Sequence, residues 1–210
     1  MDTAKQVEES SRVSINLERV TIVVALGEAL AALTSGILAG SVALVAFGTD
    51  SLIEMASALV VLAQLRSASS GVDPRPGSMH RAHRSIAFLF FALAIYVTLN
   101  ATYALVRGYR PAENVLGVVV CLASATLMPV LALKKRRASR QLALLGHHSV
   151  ARILASDANE TALCAVLSLS TLGGIGLTWW LGWWWADASF SLVIVVFALR
   201  EGREAWLCED

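Results

Sequence analysis

Asp50 and Glu54 lie four residues apart in VALVAFGTDSLIEMASALVVLAQL (residues 42–65), a segment that holds no other charged residue. On a helix, side chains at this spacing share one face, about 6 Å apart. An acid at the centre of a membrane helix costs roughly 2.5 to 3.5 kcal/mol unless something neutralises it. The pair therefore predicts a site that binds a cation or protons.

A second group of polar residues occurs in SDANETALC (156–164), where Glu160 and Cys164 have the same four-residue spacing and Asp157 precedes them. Glu28 is a further acid in an apolar segment, and these segments contain no Lys or Arg. Carboxylate oxygen and thiolate sulfur are both ligands of Zn²⁺. We predict a metal site of Asp50, Glu54, Glu160 and Cys164, with Asp157 and Glu28 as further ligands or proton relays.

The elements that must position these residues are predicted to be membrane-spanning helices. The chain of 210 residues is 56% hydrophobic and 16% charged, against about 25% charged in soluble domains. Runs of about 20 apolar residues match the thickness of a bilayer. We predict an all-α integral membrane protein with six spans, at about 20–39, 42–65, 85–106, 115–133, 155–178 and 186–199.

The distribution of basic residues predicts the orientation. If both termini are cytoplasmic, only Arg107 and Arg110 of the 17 Lys and Arg residues fall outside, as the positive-inside rule requires. The expected organisation is a cytoplasmic tail over 1–19, a six-helix transport domain over 20–199 and a short cytoplasmic tail over 200–210. The basic segment from Lys134 onward indicates orientation and headgroup contact, and we expect no nucleic-acid partner.

The motifs resemble those of the cation diffusion facilitator family of six-span metal/proton antiporters. TDSLIE (49–54) is similar to the acid signature of the family's second span. In SDANETALC, Asp157 matches the family's leading Asp, Glu160 its His and Cys164 its second Asp. WWWADASF (183–190) resembles the turn and the Ala-Asp pair that open the family's sixth span. The chain looks like a short branch without the family's C-terminal cytoplasmic domain.

The resemblance implies a secondary transporter in the plasma or inner membrane, surrounded by lipid and assembled as a homodimer. It would export divalent metal ions from the cytoplasm in exchange for protons, with no resident cofactor. Zn²⁺ is the favoured cargo, and the thiol makes Cd²⁺ a close alternative, since thiolates select against Mg²⁺ and Ca²⁺. Co²⁺, Fe²⁺ and Mn²⁺ stay open.

Other interpretations are a metal sensor or a partner subunit that keeps the fold without transporting, because Glu160 and Cys164 depart from the family pattern. An enzyme is not expected, since the chain has no nucleophile beside a base and no span contains a His. Peripheral metal binding is a further hypothesis, for His80 and His83 in the second loop and for His147 and His148 before span five.

Overall fold

The computed structural model describes the backbone of residues 2–70 and 78–207 and the side chains of 9–67 and 84–207. This part of the chain forms six α-helices and no strand, which confirms the predicted all-helical class. The helices are α1 (Asp2–Ala39), α2 (Val42–Ser70), α3 (Ser78–Arg107), α4 (Val115–Leu144), α5 (His148–Leu181) and α6 (Ala186–Leu207).

Five of these helices, α1 to α5, are long and apolar enough to cross a membrane. At 1.5 Å per residue, even α6 with its 22 residues is about 33 Å long. Its apolar part is shorter, because Asp187 lies at one end and charged residues follow from Arg200. The protein is a multi-pass membrane protein.

The helices extend beyond the predicted spans at their polar ends. α1 begins at Asp2, so the segment predicted as a tail is helical. The basic segment after Lys134 continues α4 to Leu144, and α6 continues to Leu207. Lys, Arg, Glu and Ala favour helix as strongly as many apolar residues do. Polarity therefore marks where a helix leaves the apolar layer, while its end is set by residues such as Gly146, whose φ is +87°.

α2 lies at the centre of the bundle and packs against α1, α3, α5 and α6. Glycines permit its close approach to α1. A methyl group on Gly48 would lie 2.8 Å from the backbone nitrogen of Leu33, and one on Gly36 would lie 2.8 Å from that of Val45. This close contact allows Glu28 of α1 to approach Glu54 of α2.

Asp187, at the start of α6, caps the N-terminus of α2. Its carboxylate accepts hydrogen bonds from the Ser41 hydroxyl at 2.6 Å and from the backbone N–H groups of Val42 and Ala43 at 2.9 and 3.4 Å. These N–H groups have no partner within their own helix, and a negative charge there also favours the helix dipole. The cap fixes the position of α2, and hence of Asp50 and Glu54, relative to α6.

The packing of α1 on α2 generates a stability prediction. We expect Gly48→Ala to lower the free energy of unfolding by about 1–3 kcal/mol, the usual cost of overpacking, because its added methyl group meets backbone. The control is Gly27→Ala on the exposed face of α1, where a methyl group has nothing within 4 Å. Thermal unfolding in detergent measures both. Equal unfolding temperatures for the two variants would contradict this account of the packing.

Candidate metal centre

Three potential metal ligands from three helices converge in the interior of the bundle. Glu28 of α1, Glu54 of α2 and Cys164 of α5 each offer one ligand atom, and these atoms all lie within 4.8 Å of one another. Their exposed fractions are only 6%, 3% and 2%. The structure thus brings together two acids and the thiol that the sequence singled out.

The carboxylate of Glu54 is the least satisfied group of this centre. Among the described residues, neither of its oxygens has a hydrogen-bond partner, and Oε1 of Glu28 has none either. The thiol of Cys164 lies 4.0 Å from Oε2 of Glu28 and 3.9 Å from the hydroxyl of Ser124 on α4. Buried polar groups nearly always have partners, so these atoms are available to a cation or to protons.

Asp50 lies one turn from Glu54 and faces the same space. The four ligands predicted from the sequence all line one narrow cavity between α2, α3, α5 and α6. Its lining residues are Asp50, Glu54, Phe90, Glu160, Leu163, Cys164, Leu167, Phe197, Ala198 and Glu201. The cavity volume of about 10 Å³ is roughly what one water molecule requires. A single small ion and little else would fit.

Glu160 forms its hydrogen bond outside the three-residue cluster. Its Oε2 accepts a hydrogen bond of 2.6 Å from the hydroxyl of Ser57 on α2, while its Oε1 has no partner among the described residues. Glu160 therefore ties α5 to α2 beside the cavity, and it is not one of the residues whose ligand atoms lie within 4.8 Å. Its role as a ligand stays a prediction.

Asp157 forms an ion pair that the sequence analysis did not anticipate. Lys135 of α4, assigned from sequence to the basic cytoplasmic segment, is fully buried. Its ammonium group donates to the carboxylate of Asp157, to Oε2 of Glu18 at 3.1 Å and to the hydroxyl of Thr161 at 3.1 Å. Asp157 is thus neutralised by a side chain, and α1, α4 and α5 are joined one turn from Glu160.

Glu201 is a second residue that sequence reasoning missed, because it was assigned to the C-terminal tail. It lines the cavity with Asp50, Glu54 and Glu160, and it also lines a wider groove with Arg136, Asn159, Arg200 and Glu204. Its position three residues after Ala198 and four after Phe197, on the face of α6 toward the cavity, is the signal that could have identified it. Glu201 connects the cavity to the groove.

The predicted peripheral histidines contribute little to this picture. His147 and His148 are exposed at the start of α5, and within the described side chains neither belongs to a group of three possible metal ligands. The side chains of His80 and His83 lie outside the described residues. Metal binding by all four stays a prediction.

Buried acids and a thiol inside a bundle of long apolar helices are features expected of membrane transporters of cations. Residues 19–206 match the family model of the cation efflux transmembrane domain. The chain belongs to this cation efflux family, which confirms the resemblance drawn from its motifs, and metal-cation efflux is the activity of that family. No curated protein matches the chain.

Lys135 with its partners Glu18, Asp157 and Thr161, the Lys135 cluster, generates a second prediction. Lys135→Met leaves Glu18 and Asp157 buried without their counter-ion, and we expect a loss of about 3–5 kcal/mol in the free energy of unfolding. The matched control is Lys134→Met, because Lys134 is exposed on the same helix. Combining Lys135→Met with Glu18→Gln and Asp157→Asn should recover much of the loss. Thermal unfolding in detergent decides, and equal stability of the two lysine variants would contradict a structural ion pair.

Proposed function

We propose that the protein is a secondary transporter that exports divalent transition-metal ions from the cytoplasm in exchange for protons. The observation that carries the proposal is the buried carboxylate of Glu54, unpartnered within the described residues and close to the thiol of Cys164. Membership of the cation efflux family supports the direction of transport. We assign Asp50, Glu54 and Cys164 as site residues, and Glu160 lines the same cavity while bonded to Ser57 of α2.

The donor atoms suggest the metal. Zn²⁺ binds carboxylate oxygen at about 2.0–2.2 Å and thiolate sulfur at about 2.3 Å, and Cd²⁺ shares the affinity for sulfur. Mg²⁺ and Ca²⁺ are hard ions that prefer oxygen ligands alone. We therefore assign Zn²⁺ or Cd²⁺ as cargo ahead of Co²⁺, Fe²⁺ and Mn²⁺, with Cys164 as the residue that separates the two groups of metals.

Coupling to protons follows from the cost of burying charge. Asp50 and Glu54 line the cavity with Glu160, and no lysine or arginine is among its lining residues. When no metal is bound, protons are the neutralising cations within reach. Metal ligands bind in their deprotonated form, so an entering metal ion releases protons. Exchange of metal ion for protons at a single site is the basis of antiport.

The route to the cytoplasm passes Glu201 in this proposal. The positive-inside rule places the basic ends of α4 and α6, with the groove that Arg136, Arg200 and Glu201 line, on the cytoplasmic side. A carboxylate at the junction of groove and cavity would attract a cation past these arginines. Alternating access would then open the site to the other face, in a homodimer embedded in the plasma or inner membrane.

Transport by purified protein in sealed liposomes tests this function. With a chelating dye inside and a pH gradient across the membrane, we expect uptake of Zn²⁺ or Cd²⁺ that depends on the gradient. Asp50→Asn should lose the dependence on the pH gradient, because an amide cannot exchange a proton. Metal binding near one ion per chain, without uptake of any metal, would instead indicate a sensor or a partner subunit.

Cys164→Ala tests the assigned selectivity in the same assay. Removing the sulfur of the three-residue cluster should reduce Zn²⁺ and Cd²⁺ uptake at least tenfold relative to Mn²⁺, which prefers oxygen ligands. Cys121→Ala is the matched control, because Cys121 is an equally buried free cysteine on α4 that is not part of the cluster. If uptake of Zn²⁺ and Cd²⁺ relative to Mn²⁺ is the same in both cysteine variants, the sulfur of Cys164 is not a ligand.

A further inference from the structure

We propose that Glu28 of α1 is a direct ligand of the transported ion, so that three helices build the site. The motifs of α2 and α5 alone would supply Asp50, Glu54, Glu160 and Cys164. The inference rests on the proposed function only for the statement that the bound ion is transported. Binding of the ion to Glu28 can be measured separately from transport. It decides between the two roles, ligand or proton relay, that the sequence left open for Glu28.

The distances are close to those of a four-coordinate metal site. With metal–oxygen bonds of about 2.1 Å and a metal–sulfur bond of about 2.3 Å, tetrahedral geometry places oxygen about 3.6 Å from sulfur. Oε2 of Glu28 lies 4.0 Å from Sγ of Cys164. The widest separation among the three ligand atoms is within 4.8 Å. Side-chain shifts of about 1 Å would therefore complete the site around a Zn²⁺-sized ion.

An unpartnered atom at Glu28 supplies a second observation. Its Oε1 is buried and has no hydrogen-bond partner within the described side chains, and the side chain is 94% buried, since only 6% is exposed. A purely structural carboxylate would be expected to use both oxygens. The free oxygen and the two of Glu54 leave three acceptor atoms next to one thiol.

Glu160 is the competing candidate for the same coordination position, and its contacts argue against it. One of its oxygens is held by Ser57 at 2.6 Å, and it lies outside the group of mutually close ligand atoms. Asp50, in the shared cavity, or a water molecule could occupy the fourth position. A site in which the protein supplies three ligands leaves one position open, as catalytic zinc sites do, and an open position favours release of the ion.

If Glu28 is a ligand, ion binding changes how α1 packs in the bundle. α1 packs against α2 and α4, and the thiol of Cys164 lies between Glu28 and Ser124 of α4. An ion held by Glu28 would therefore pull α1 toward α5, next to the Lys135 cluster that joins the same helices. Loss of the ion would release this contact.

Binding of Co²⁺ to the full chain in detergent tests the inference, because the absorption of this ion reports its ligands. We compare the unmodified protein with Glu28→Gln, Glu28→His and the control Glu113→Gln, in the exposed loop between α3 and α4. We expect Glu28→Gln to weaken Co²⁺ binding by at least tenfold to a hundredfold, since even loss of a ligand's supporting partner has effects of that order. Glu113→Gln should bind like the unmodified protein.

The histidine variant separates a ligand from a structural residue. If Glu28 binds the ion, Glu28→His replaces oxygen by nitrogen, so it should recover affinity and shift the visible Co²⁺ bands, while the sulfur charge-transfer band from Cys164 persists. Unchanged affinity in Glu28→Gln would overturn the inference, and so would weakened affinity with no spectral change in either variant. Failure of transport with these binding results intact would count against the proposed function alone.

Discussion

The cost of placing charge in an apolar interior is the constraint on which this structure depends. Glu28 and Glu54 are nearly inaccessible to solvent, and several of their oxygens lack partners among the described residues. Each such acid costs on the order of 3 kcal/mol in a membrane helix. The same bundle neutralises another acid internally, since Lys135 lies against Asp157. The buried acids without such a partner are the ones that a mobile cation can neutralise.

The packing of the helices positions the acids for two kinds of counter-ion. One is permanent, the ammonium group of Lys135, and the other is the exchangeable cation. Asp187 fixes the start of α2, and glycines bring α2 against α1, which together set the depth at which Glu54 meets Cys164. On the basic side of the bundle, Lys135 joins α1, α4 and α5. In our account the exchangeable ion joins α1, α2 and α5, and its ligand Cys164 lies about two turns from Asp157 on α5. Ion binding and helix packing are therefore linked.

Much of this arrangement could be predicted from sequence, because spacing and hydropathy are local properties. The six helices followed from the lengths of the apolar runs, and the shared face of Asp50 and Glu54 followed from their four-residue spacing. The burial of Lys135 and the proximity of Glu28 to Cys164 could not be predicted in this way. Lys135 lies in a run of basic residues that normally contacts solvent, and its burial depends on Glu18, 117 positions away. Glu28 was predicted only as a further ligand or proton relay, and its proximity to Cys164 depends on the approach of α1 to α5.

The most direct test of the central claim, that Glu54 and Cys164 hold the ion, is X-ray absorption spectroscopy of the zinc-loaded full chain. The account predicts one sulfur at about 2.3 Å with oxygen ligands at about 2.0–2.2 Å. The sulfur should disappear in Cys164→Ala and persist in Cys121→Ala. A zinc shell without sulfur, or a sulfur that is lost in Cys121→Ala, would contradict the account.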